Sequence, residues 1–288
     1  MKKSRKTKKT PFPVMENMTV KMIRDYLNRK KSIIIPIGVI EQHGYHLPLK
    51  TDTLLATHLG RMMGERTGIL VAPTMYESFS GGGCPGTINI SPATMSLVVS
   101  DRLISLASQG FRNFYLFICH AGSENFRALD NALKMLLRNN PLFENSMIAL
   151  LPCLRLSPKG WDIMRRGDWH AALTETAMVM ALEPDLVRMD EMELDAEPVR
   201  SMMIEHPDKY QHAEKVVDSP YVVPRMRQRP DVQVGVMGAD VGKATPELGR
   251  EINGEIVANA SKIIADLESK ADGIYKEVDF KPEPLIFD

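Results

Sequence analysis

The chain has 288 residues, 44% of them apolar, and 36 Lys and Arg are balanced by 36 Asp and Glu. That length and apolar content support a sizeable core and exclude global disorder, while formal neutrality excludes a chain-wide electrostatic pull towards nucleic acid or membrane. The balance is uneven, because the first ten residues hold six cations and no acid, which leaves the rest of the chain mildly acidic.

In chain order, residues 1–16 read as a basic, flexible tail without the apolar run of a secretory signal, and 17–288 read as a single domain. Met18 to Leu27 has helical apolar spacing, and Ser32 to Ile37 (SIIIPI) is a short apolar run expected as a buried strand. Thr51 to Glu65 is helical, Gly68 to Ala72 strand-like, and Ser80 to Thr87 (SGGGCPGT) a Gly-rich loop. Ser91 followed by Pro92 opens a helix running to Ser108. Asn113 to Cys119 is a second apolar strand, Asn125 to Arg138 a helix and Ser146 to Pro152 a third strand.

Strands alternating with helices predict crossover connections, hence an α/β fold with a mostly parallel sheet covered on both faces. Ser157 to Asp168 reads as irregular and Ala171 to Leu182 as helical. Met192 to Pro230 is polar and proline-rich, expected as a surface excursion with a lid or a subunit contact as its alternatives. A strand over Val232 to Val236 and a long helix over Pro246 to Leu267 close the domain. No segment approaches the roughly 20 continuous apolar residues of a membrane span. Cys84, Cys119 and Cys153 are odd in number, widely spaced and outside any CxxC pair. They suit a reducing cytoplasm better than a disulfide framework or zinc knuckle.

The densest chemistry lies in Ile37-Gly-Val-Ile-Glu41-Gln-His43-Gly-Tyr-His46-Leu-Pro-Leu-Lys-Thr-Asp52, which begins where a strand ends. Open α/β sheets place their ligands at the carboxyl ends of strands. Glu41 and His43 project to one side of an extended chain, and Gly44 and Pro48 let the chain fold back to bring Asp52 near. His120 directly follows the second strand, and His170 precedes Glu175 by five residues at a helix entrance. Taken singly, a His at a strand end is usually structural, and a Glu in a first helical turn usually serves the helix dipole. Together, three imidazoles and three carboxylates at strand mouths point to a metal site. His58, His206 and His212 read as ordinary surface or core residues.

The run IPIGVIEQHGYHLPLKTD closely resembles the signature of the creatininase (creatinine amidohydrolase) family, with Asp52 eleven residues after Glu41. The resemblance continues through SGGGCPGT, His120, His170-x4-Glu175-Thr176 and GVMGADVGKATPELG at Gly235 to Gly249, and so spans Met18 to Leu267. It implies a three-layer α/β/α domain, two divalent metal ions (zinc, manganese or iron), hydrolysis of a non-peptide amide C–N bond in a small substrate, and assembly as a homo-oligomer, commonly a hexamer. Glu41, His43, Asp52 and His120 match metal ligands, with Asp52 as the bridge, and His170 matches a catalytic or substrate-contacting residue. For the remaining ligand the resemblance implies Glu175, with a catalytic role as well, or alternatively Glu124, because His120-Ala-Gly-Ser-Glu124 is longer than the family pattern.

Ser80 and the amides of Gly81, Gly82 and Gly83 are candidates for holding substrate or an oxyanion, against the plain alternative of a tight turn. Trp169 is a candidate substrate contact, although Trp161 and Trp169 sit at spacings unlike those of creatinine-hydrolysing members. The resemblance leaves two further readings open: a non-catalytic metal-binding member of the fold, and a hydrolase of small peptides.

Overall fold

The structure, a computed structural model, describes residues 14–120, 122–206 and 211–271. Most of the basic tail therefore lies outside the described residues. Val14, assigned to that tail, is buried and pairs in parallel with Val71, so the packed body starts within it.

Four strands, β1 (Ser32–Ile37), β2 (Leu70–Val71), β3 (Asn113–Ile118) and β4 (Met147–Pro152), form one all-parallel sheet in the order β2-β1-β3-β4. β1 and β3 are in register from Ser32 opposite Asn113 to Ile37 opposite Ile118. Their side chains alternate between two apolar cores, as the two-residue period of a strand dictates. Ile34, Tyr115 and Phe117 pack on one face against α2 (Thr51–Thr67), α5 (Pro158–Met164), α6 (Leu173–Leu182) and α8 (Pro246–Lys270). Ile33, Ile35, Phe114 and Leu116 pack on the other against α1 (Val20–Leu27), α3 (Pro92–Ser108) and α4 (Ser123–Asn139). The expected three-layer α/β/α domain is what these contacts build. No helix among the described residues is long and apolar enough to cross a membrane.

At the amino ends of the strands, Ser32 Oγ, Asn113 Nδ2 and Tyr115 Oη all donate to Glu268 Oε1, at 2.7, 2.9 and 2.7 Å. This pins the end of α8 to the sheet and leaves the opposite rim to the site.

Three expectations need correction. The segment 157–168 is not irregular throughout, since Ser157 Oγ accepts from the Gly160 amide and caps α5. The polar stretch 192–230 contains α7 (Val199–Glu205) and an antiparallel pair, β5 (Gln211–Glu214) with β6 (Arg225–Gln228). Val232 to Val236 is not a strand. Its alternating pattern is real, but the amides of Gln233, Val234 and Gly235 are taken by the buried Asp195 carboxylate at 2.7, 3.0 and 2.6 Å.

Candidate metal centre

The loop leaving β1 carries Glu41 and His43, and Asp52 stands in the first turn of α2. The Glu41 amide donates to the Leu49 carbonyl at 2.9 Å, which closes the loop and returns Asp52 to the strand end. His120 follows β3, and Glu175 lies in the first turn of α6. All five side chains are buried.

Asp52 occupies the centre with its two oxygens divided. Oδ2 lies 3.1 Å from His120 Nδ1, whose other neighbour is Glu41 Oε2 at 3.2 Å. Oδ1 lies 3.5 Å from His43 Nε2, which is 3.7 Å from Glu175 Oε2. Two donor groups result, Glu41–Asp52–His120 and His43–Asp52–Glu175, each with ligand atoms within 4.8 Å of one another. A third combination, Glu41–His43–His170, meets the same limit. His43 Nδ1 donates to the Glu41 carbonyl oxygen at 3.0 Å, which fixes the ring and turns Nε2 inward. His43 Nε2 and Glu41 Oε2 are buried and make no hydrogen bond of good geometry, as befits groups aimed at a position another ligand would fill. Oxygen and imidazole donors without thiolate fit a divalent ion such as zinc, manganese or iron(II).

The electrostatics describe the same cluster. Burial alone would raise Glu41, but His120 and His170 outweigh it and hold the carboxyl at about 2. Burial pulls His43 down, yet Asp52 and Glu175 beside it raise it to about 10, and His120 is lifted in the same way by Glu41 and Asp52. Glu175 is the exception, because burial dominates and pushes it up to about 7. Protons on His43 and His120 thus offset the buried carboxylates in the positions a metal's charge would take.

Glu124 does not join the cluster. It sits exposed in the first turn of α4, on the cavity wall, and Glu175 is the carboxylate brought to the second group. Ser80 Oγ donates to Glu41 Oε1 at 2.5 Å and accepts from the Gly82 amide at 3.1 Å. The Gly81 amide donates to Asn89 Oδ1 at 2.8 Å, with Gly81 at φ +88°. The amides of Gly81 and Gly82 are therefore spent inside a tight turn that orients Ser80 on Glu41, and Gly83 is exposed.

His170 lies beside His43, with ring centroids 4.3 Å apart. Its Nε2 is 2.8 Å from the Gln42 carbonyl oxygen; a carbonyl only accepts, so Nε2 carries the proton. The Gln42 side-chain amide, 3.1 Å from the same nitrogen, donates instead to the Gly235 carbonyl at 3.4 Å. Burial, and then His43, lower His170 to about 4.

Several supporting residues were not singled out from sequence. His46 Nε2 pairs with Thr176 Oγ1 at 2.9 Å and ties the β1 loop to α6. Asp168 accepts the amides of Leu173 and Thr174 at 2.8 and 2.9 Å, which sets the start of α6. Ala171 is held at φ +52°, a costly conformation for a residue with a Cβ, and its amide donates to Glu175 Oε2 at 2.6 Å. Asp195 fixes residues 233–235, and Met237 beyond them exchanges backbone hydrogen bonds with Trp169 and His170.

A cavity of about 560 Å³ opens over Glu41, Asp52 and Glu175, and both Trp161 and Trp169 line it despite their unusual spacings.

The sequence matches the family model described as creatinine amidohydrolase over residues 16–264. It is 32% identical to creatinine amidohydrolase of Pseudomonas putida over 55% of this chain, and the match spans 66% of that relative's length. It is 28% identical to the mycofactocin precursor peptide peptidase of Mycobacterium ulcerans over 84% of this chain and 88% of the relative. A solved structure described as creatininase Mn superposes with a TM-score of 0.69 at 24% identity, covering 88% of this chain and 98% of that one. The family model's match over residues 16–264, with the motifs of the sequence gathered at one rim of the sheet, places this chain in the creatininase family.

Proposed function

We propose that the chain is a metal-dependent amidohydrolase that cleaves an amide C–N bond in a small substrate, with Asp52 shared between two donor groups that would each hold a divalent ion. The observation that carries this reading is the division of Asp52, one oxygen toward Glu41 and His120 and the other toward His43 and Glu175. Divalent ions held there supply a water acidified to near-neutral pKa and a Lewis acid for the amide carbonyl. The chain's own residues supply the rest. Glu41, Asp52 and His120 would hold one ion, and His43, Asp52 and Glu175 the other. His170, neutral at pH 7 and with Nε2 committed to Gln42, would take up at Nδ1 the proton that the attacking water gives up and deliver it to the departing nitrogen. Trp161 and Trp169 wall the cavity and keep bulk water from the reacting bond.

The named relatives include both a hydrolase of creatinine and a peptidase, which supports amide hydrolysis as the reaction and leaves the substrate to assay. The three free cysteines support a reducing, cytoplasmic setting. Exposed Val216, Tyr221 and Val223, at 100, 95 and 88% exposure in the β5–β6 connection, support a homo-oligomer.

The test joins metal analysis to hydrolysis of creatinine, a formylamino-pyrimidine and a dipeptide with added manganese or zinc. The expected result is about two tightly held ions per chain, turnover of one substrate class, and loss of both ions and turnover in Asp52→Asn. Less than about one ion per chain, or an active Asp52→Asn, refutes the dinuclear hydrolase.

A further inference from the structure

The first turn of α4 is a cavity wall that the hydrolytic reaction leaves unused. Gly122, Ser123 and Asn125 line the cavity, and a Cβ at Gly122 would stand 2.6 Å from His120 Nε2, so this turn lies against the metal cluster. Asn125 is fully buried, and its Oδ1 accepts from the Phe79 amide at 3.4 Å. A backbone N–H only donates, so the oxygen is the atom turned to Phe79 and Nδ2 is the one left over. Nδ2 is buried with no partner among the described residues, and leaving a buried donor unsatisfied costs more than a typical hydrogen bond contributes. The helix adds to it: α4 runs for 17 residues, its N-cap Gly122 offers no capping side chain, and the first amides of a helix have no acceptor within it. Phe79 in turn precedes Ser80, whose Oγ donates to Glu41 Oε1. Asn125 therefore stands between the loop that orients Glu41 and the strand end that carries His120, with an N–H donor to spare beside the cavity.

We infer that the substrate carries, close to its scissile amide, a second carbonyl whose oxygen accepts from Asn125 Nδ2. This wall calls for an acceptor because it presents donors. It calls for a neutral one because the two charged residues that α4 adds to the cavity lining, Glu124 and Arg127, stand three apart and carry opposite signs. With the scissile amide over the cluster, the second carbonyl lies on the His120 side, against α4. N-acylated α-amino ketones, diamides and peptides have two carbonyls in this relation, whereas creatinine has one. The inference rests on the proposed hydrolase.

The test compares N-formylaminoacetone with N-isobutylformamide, which share a scissile formamide and nearly the same outline and differ in one carbonyl oxygen set in place of a methyl group. The expected result is kcat/KM about tenfold higher for the ketone, the effect of one hydrogen bond to an otherwise unsatisfied donor. Asn125→Asp keeps an oxygen for the Phe79 amide and removes the N–H, and Asn125→Leu has the same outline without polar atoms. Each, checked for folding and metal content, should lose the preference. Calorimetric binding of both compounds to the metal-loaded parent protein decides the matter even if a variant fails to fold. Tighter binding of the ketone, lost in the variants, upholds the subsite even if neither compound is hydrolysed, a result that counts against the hydrolase reading alone. Equal kcat/KM and equal binding for the two compounds, no measurable binding of the ketone, or a preference that survives in both variants overturns the inference.

Discussion

Asp195 offers the sharpest quantitative test of how the site is held. Its Oδ1 accepts the amides of Gln233 and Val234, and its Oδ2 accepts that of Gly235. In Asp195→Asn the amide oxygen can serve the first pair, but the new NH2 then points a donor at the Gly235 amide. One buried donor goes unsatisfied and two hydrogen bonds lose their charge assistance, a cost of about 2 to 4 kcal/mol. For a domain of this size that lowers Tm by about 5 to 15 °C. The segment also carries the Gly235 carbonyl that holds Gln42 and the Met237 backbone that holds His170, so kcat should fall while metal content is kept. Thermal unfolding of the metal-free protein, paired with steady-state kinetics, reads both effects. Asp240→Asn, which breaks only the exposed pair with Lys243, should move Tm by less than about 2 °C. An Asp195→Asn protein with the parent's Tm and kcat would show that the carboxylate does not hold this wall.

Three further outcomes follow from the site. His170→Gln should keep its metal and lose about 10²- to 10⁴-fold in kcat, measured against metal content on one preparation; unchanged kcat would remove His170 from proton transfer. Gly122→Ala would place a Cβ 2.6 Å from His120 Nε2, so the ring must move, and metal affinity should fall with little change in Tm; unaltered affinity would show that the ring adapts. Without metal, the contribution of Glu41, held at about 2, is present above pH 4.5 and lost as pH falls towards 2. That of His43, raised to about 10, is full below pH 6.5 and lost as pH rises towards 10. Glu175, raised to about 7, adds a cost as pH rises from 4.5 to 7. Metal-free Tm should therefore peak between about pH 4.5 and 6.5, and metal binding at pH 7 should release about two to three protons per chain, from His43, His120 and Glu175, seen by calorimetry in two buffers. No proton release would mean that the imidazoles are neutral before metal arrives.

The sheet was legible because β1 and β3 are buried on both faces, and such strands read as unbroken apolar runs; β4, half-buried at the sheet edge, is apolar enough to read the same way. The cluster was legible because its residues sit directly after strands or in first helical turns, where topology dictates convergence. What escaped was decided by partners distant in sequence. Val232 to Val236 alternates like a strand, but only the folded chain shows that Asp195 takes its amides. The α5 helix did carry a signal, Ser157 followed by Pro158, the same opening correctly read at Ser91 and Pro92, yet its seven residues are too short for a clear apolar period. The choice between Glu124 and Glu175 turned on which helix start faces Asp52, a matter of packing rather than spacing.

The donors of the cluster enter the chain in sequence, from Glu41 after β1 to Glu175 in α6. α6 packs in turn against α8, the last described helix, where Asn253 Nδ2 donates to the Met178 carbonyl at 3.2 Å. A nascent or truncated chain can thus complete its sheet and still lack Glu175, the last of the five donors. Completion of the His43–Asp52–Glu175 group then waits on α6 and its packing against α8, and a cleavage far from the rim that frees α8 would be felt first at that group rather than in the sheet.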